Sequence, residues 1–142
     1  MRHLTLGAIL ALAAVPAFAE GDAAAGEEQF ARQCVACHVI ENPAGEVIAG
    51  RNARTGPNLF GIVGEAPGAV EGFDFSDALI EWGATGAVWD EATFVGYVMN
   101  PTQFVREQLD NNRARVKMAY QVRDEQAAHD IFAYLESIQP AE

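Results

Sequence analysis

The chain has 142 residues, half of them apolar, with nine basic against twenty acidic side chains and a formal net charge of −11. That length makes one domain with a modest core. The acidity argues against nucleic acid or an anionic membrane surface as a partner, since both need a basic face.

Residues 1–19 read as a secretory signal peptide. Arg2 and His3 form a polar start, residues 4–15 are an apolar run, and Ala17-Phe18-Ala19 is a small-x-small cleavage site. The run is too short for a bilayer of roughly 30 Å, which needs ~20 apolar residues, and no second run follows. No stable membrane insertion is expected, and residues 20–142 are expected as a soluble domain in the periplasm. Cleavage deletes one of the nine basic residues and none of the twenty acidic ones, which takes the charge to −12.

Asp22 predicts a helix start, with Ala23, Ala24, Ala25, Phe30 and Ala31 following and Glu27 and Glu28 placed early, where the macrodipole favours acids. The helix ends where the cysteines begin. Cys34-Val35-Ala36-Cys37-His38 is the motif that carries the chemistry. Two thiols at this spacing can add to the two vinyl groups along one side of a haem, and the next residue, His38, then lies beneath the iron as a ligand. A bare Cys-x-x-Cys in an exported chain could also be a redox dithiol or a disulfide. The adjacent His and the lack of a βαβ pattern favour haem. Zinc would need four ligands, and the chain beyond residue 19 offers only Cys34, Cys37, His38 and His129.

Residues 42–72 are dense in Gly and Pro, include Thr55-Gly56-Pro57-Asn58, and read as loop. So long an irregular stretch needs something to pack on. Helical pattern resumes at Ser76 with Ala78, Leu79 and Ile80, and Gly83 is expected to stop it. Asp90 starts another helix, in which Phe94, Tyr97 and Val98 recur at spacings of three and four. Asn100-Pro101 ends that helix and begins the next, with Asn at N-cap, Pro at N1 and Gln103 at N3. Asp110-Asn111-Asn112 breaks it. The last helix is expected over residues 124–138, with Ala127, Ala128, Ile131, Phe132, Leu135 and Ile138 as its apolar stripe. Nothing alternates convincingly with period two, so the expected fold class is all-α with long loops.

The sixth position on the iron separates a carrier from a gas-binder or an enzyme, and Met99, Met118 and His129 are the candidates. Met99 falls inside a helix among Val95 and Val98, as core. His129 lies on the polar side of the last helix beside Glu125 and Asp130. Met118 follows a helix-free, Arg-rich loop able to fold over the haem, and is the expected ligand. Charge is uneven along the chain. No basic residue lies between Arg54 and Arg106, where Glu65, Glu71, Asp74, Asp77, Glu81, Asp90 and Glu91 fall, whereas Arg106, Arg113, Arg115, Lys117 and Arg123 cluster afterwards.

In order and spacing, Cys34 to His38, Thr55-Gly56-Pro57-Asn58-Leu59, Trp89 with Tyr97, Asn100-Pro101, Lys117-Met118, and Ile131, Tyr134 and Leu135 of the final helix resemble a class I cytochrome c. The resemblance covers residues 20–142. It implies one covalent haem c, His38 and Met118 as axial iron ligands, and the Pro57 carbonyl as acceptor from the His38 ring N–H. It also implies that the Trp89 indole meets a haem propionate and that the Tyr97 phenol lies near the Met sulfur. Gly26, Phe30, Ile131 and Tyr134 would join the first and last helices. Phe75 stands where many members have a Tyr, Val116 where a Thr is common, and residues 102–116 are longer than the mitochondrial pattern.

The function implied is single-electron carriage between a redox donor and a redox acceptor, not catalysis. A haem-c gas-binding or enzymatic domain with a labile distal ligand, or the electron-input subunit of a complex, are the alternative readings. Arg113, Arg115 and Lys117 are expected near the haem rim, with the acidic residues 65–91 mainly away from it, a dipole that would orient the protein toward an acidic partner surface.

Overall fold

The computed structural model describes residues 20–140. The expected signal peptide, residues 1–19, lies outside the described residues. Five helices appear in chain order: α1 (Ala23–Gln33), α2 (Asp77–Ala84), α3 (Glu91–Met99), α4 (Pro101–Gln108) and α5 (Glu125–Ser137). Each begins on a side chain that accepts a backbone N–H left free by the first turn. Asp22 takes Ala24 and Ala25, Ser76 takes Leu79, Asn100 takes Gln103 and Asp124 takes Ala127. Asp90 takes Thr93, whose hydroxyl accepts from the Asp90 backbone in return, a capping box. Glu27 and Glu28, expected near the start of α1, fall beyond its first turn.

One local expectation gives way to a longer-range contact. Gly83 does not stop α2, which runs on to Ala84 with Thr85 as C-cap and Gly86 at φ +92° behind it. A Cβ on Gly83 would collide with the Pro67 carbonyl, so this glycine admits the neighbouring loop. The all-α expectation holds for the described residues, which add to the helices only a small antiparallel pair, β1 (Ile40–Glu41) with β2 (Val47–Ala49), in which Ile40 faces Ala49 and Glu41 faces Val47. With two and three residues, these strands are too short to show alternation in sequence. Asn58 ties the pair to the loop that follows: its side chain accepts from the Glu41 and Phe60 amides and donates to the Glu41 carbonyl.

The core is framed by α1 and α5, with α3 packed on α5. Phe30 and Tyr134 meet with ring centroids 5.8 Å apart, and Phe94 meets Phe132 at 5.6 Å. Gly26 is buried where the two terminal helices approach, and a Cβ there would run into the Asp130 carbonyl. Gly26→Ala is therefore expected to destabilise the protein by about 2 kcal/mol. An overpacking cost of up to ~3 kcal/mol outweighs the ~1 kcal/mol gained by removing a glycine from a helix interior. Urea denaturation followed by far-UV circular dichroism measures it, and unchanged or increased stability would refute it.

Candidate functional site

The chain leaves α1 through a tight turn. Cys34 N–H donates to the Phe30 carbonyl at 2.9 Å, and the amides of Cys37 and His38 both donate to the Cys34 carbonyl, at 3.1 and 2.9 Å. Cys34, Cys37 and His38 thereby line one cavity of about 660 Å³, well within the size of a ligand pocket. Its walls are mostly apolar and include Leu59, Phe60, Ile62, Phe75, Leu79, Phe94, Val98 and Ile131.

His38 is 9% exposed, and its Nδ1–H donates to the Pro57 carbonyl at 2.9 Å. The loop carrying Pro57 lies flat on the imidazole, where a Cβ on Gly56 would strike the ring; Gly56 N–H also donates to the Cys37 carbonyl at 2.8 Å. Burial holds the His38 pKa below the usual histidine range, with the Pro57 carbonyl pulling the other way. The ring is thus kept neutral, with Nδ1 protonated and the Nε2 lone pair free to bind a metal. Because the folded pKa is the lower one, the unfolded chain binds more protons between the two values. In the chain without haem, this contribution to stability is therefore lost as the pH falls through that window, below about 6.5. Burial, and then the neighbouring Cys37, push the Cys34 thiol up to about 12.

Met118 lines the same cavity, whereas Met99, the last residue of α3, and His129 do not. His129 is more enclosed than a solvated residue: its side chain is 18% exposed and Nδ1 lies 2.7 Å from the Glu91 carboxylate. As expected, α4 ends before Asp110, and the Arg-rich loop between it and Met118 contains no helix. Beyond α4, Asp110 takes φ +48°, Asn111 N–H donates to the Arg106 carbonyl, and Ala114 N–H donates to the Asn111 carbonyl. Arg106 Nε closes this turn on the Ala114 carbonyl at 2.9 Å. The added residues are thus folded back on α4.

Trp89 and Tyr97 both line the cavity, with ring centroids 5.0 Å apart. Behind them stands Trp82, 2% exposed, edge-on to Trp89 at 5.2 Å and stacked on Tyr97 at 6.4 Å. Trp82 escaped the sequence reading because it lies outside the motifs, although an aromatic on the short second helix was a signal for it. Burial raises the Tyr97 phenol pKa. Two backbone bonds, Gly64 N–H to the Trp89 carbonyl and Trp89 N–H to the Glu65 carbonyl, fix the Trp89 backbone.

Arg113 and Arg115 are exposed and do not line the cavity, whereas Lys117 does. Two acidic residues depart from the expected separation of charge: Glu65 lines the cavity and Asp74 pairs with Lys117.

Two thiols, a neutral imidazole and a thioether on one apolar cavity suit a covalently attached haem. No family model matches the chain. Among curated proteins it is 50% identical to cytochrome c2 of Rhodovulum adriaticum over 118 residues, covering 83% of this chain and 93% of that one. It is 47% identical to cytochrome c2 of Cereibacter sphaeroides over 135 residues, covering 94% and 92%. The solved structure of cytochrome c2 from Rhodobacter sphaeroides superposes with a TM-score of 0.83 at 43% identity, over 87% of this chain and all of that one. Likeness of this extent, in sequence and in fold, means that the chain belongs to the cytochrome c2 family, class I cytochromes c that carry single electrons on one covalently attached haem c.

Proposed function

We propose that Cys34 and Cys37 hold the haem through thioether bonds, that His38 and Met118 ligate its iron, and that the protein shuttles electrons between a donor and an acceptor in the periplasm after residues 1–19 are removed. The observation that carries this reading is that all four donors line a single apolar cavity. Among the described residues no helix is long and apolar enough to cross a membrane.

The haem supplies a one-electron Fe(III)/Fe(II) couple. The chain tunes and guards it. Pro57 orients His38, the Met118 thioether favours Fe(II), and the apolar lining disfavours the form with more net charge. Trp89 supplies an indole N–H for a propionate and Tyr97 a phenol near the Met118 sulfur, roles suggested by the family likeness. His38 and Met118 together would leave the iron no open site, which favours a carrier over a gas-binder or an enzyme.

Docking is assigned to the exposed loop before Met118. Lys117 already faces Asp74, so steering toward an acidic partner falls mainly to Arg113 and Arg115. Reversing both to Glu is expected to slow the second-order electron-transfer rate by about tenfold at low ionic strength. The haem spectrum stays unchanged. Salt is expected to narrow the gap, because exposed charges are screened over about 8 to 10 Å at physiological ionic strength. Stopped-flow kinetics with the redox partner tests it, and equal rates at low salt would remove the steering role.

A further inference from the structure

Met118 is tied down on both sides by side chains. One residue before it, Lys117 Nζ donates to the Asp74 carbonyl and to the Asp74 carboxylate, each at 2.6 Å. Two residues after it, the Tyr120 hydroxyl donates to Gln33 Oε1 at 2.9 Å. Gln33 is the last residue of α1, directly before Cys34, and its amide Nε2–H donates to Gln29 Oε1 at 2.8 Å. That bond sets the orientation of the Gln33 amide, leaving its oxygen for Tyr120. Asp74 sits between Phe73 and Phe75, two cavity-lining rings 4.7 Å apart. The two contacts therefore join the Met118 segment to two separate parts of the cavity wall.

The backbone makes these contacts matter. Among the described residues, no backbone–backbone hydrogen bond involves residues 115–121; the ladder stops at Ala114 and resumes where Val122 N–H meets the Val98 carbonyl. Packing of Val116 and Met118 on the core and the two side-chain clasps are what hold this segment. A segment with so few backbone bonds opens more readily than the helices around it.

We propose that the Lys117–Asp74 and Tyr120–Gln33 contacts are positioning clasps that keep residues 115–121 closed over the cavity and thereby hold Met118 in place. The inference rests on Met118 being an iron ligand. Opening of the segment then frees a coordination position, and an added small ligand binds in proportion to the open fraction. The ionic clasp is exposed, with side chains 51% and 96% accessible, so salt weakens it. The Tyr120–Gln33 bond is neutral and is insensitive to salt.

The test titrates the ferric holo-protein with imidazole at low and high potassium chloride. Asp74→Ala and Tyr120→Phe are each expected to raise the apparent affinity about twofold to fivefold, and the double variant by about the product. The far-red band stays intact without imidazole. Added salt raises the affinity further in Tyr120→Phe but not in Asp74→Ala. Native-state hydrogen exchange is expected to quicken at the Val122 amide, the hydrogen-bonded N–H that closes the far end of the segment, and to hold steady in α5. Parent-like imidazole affinity in the double variant overturns the proposal. Equal quickening throughout α5 also overturns it, as general loosening. Met118→Ala serves as the control: if it binds imidazole no more tightly than the parent, the ligand assignment fails. Exchange at the Val122 amide still reports on the clasps, and an unchanged rate there overturns them whichever residue binds the iron.

Discussion

Replacing Cys34 and Cys37 together by Ala is expected to give a protein from which acid–acetone extraction removes all colour, whereas the parent keeps its colour and shows a mass one haem above the bare chain. Without thioethers the haem would be held only by the proposed ligands His38 and Met118 and by apolar contact, and acid would remove the first of these by protonating the imidazole. Bound haem then depends on concentration, and so does any stability it confers on the fold. A single Cys→Ala variant retains one bond and so retains extraction-resistant colour. Burial has a further consequence for the parent. A Cys34 thiol pushed up to about 12 is almost wholly protonated at neutral pH, and the thiolate is the nucleophile. Bond formation is therefore expected before the cavity has closed around Cys34. Extractable colour in the parent, or a Cys34–Cys37 disulfide in place of thioethers, would overturn the assignment.

The helix starts were legible because capping is chemistry over three residues: Asp22, Asp90, Asn100 and Asp124 announce themselves wherever the rest of the chain goes. Helix ends answer to neighbours instead. Gly83 looks like a stop signal and is in fact where α2 lets the Pro67 carbonyl come close, a contact 16 residues away in sequence. The same distinction runs through the site. Cys34, Cys37 and His38 read as a unit because their chemistry needs adjacent residues. The clasps around Met118 bridge separations of 43 and 87 residues, and nothing local marks Asp74 or Gln33 as partners. Charge arithmetic along the chain was likewise a partial guide. It separated acidic from basic stretches, but folding brings Asp74 to Lys117 and Glu65 to the cavity wall.

Met118→Ala is expected to abolish the far-red band of the ferric protein, to lower the reduction potential, and to convert the ferrous protein from one that ignores carbon monoxide to one that binds it stoichiometrically. Met99→Ala is expected to leave all three properties nearly as they were. Packing does not separate the two variants: each removes a half-buried thioether packed on the core, at a packing cost of about 2 kcal/mol. Their surroundings do separate them. Met99 ends α3 outside the cavity lining, whereas Met118 lines it together with His38. With Met118 as the proposed ligand, its truncation would remove the thioether that favours Fe(II) and leave water or an added ligand to take its place, so the potential is expected to fall and the iron to open at once. An open iron in the Met99 variant, with the Met118 variant behaving like the parent, would reverse the assignment. If neither variant opened, the sixth ligand would lie outside the methionines, and the carrier reading would have to find its closed coordination elsewhere.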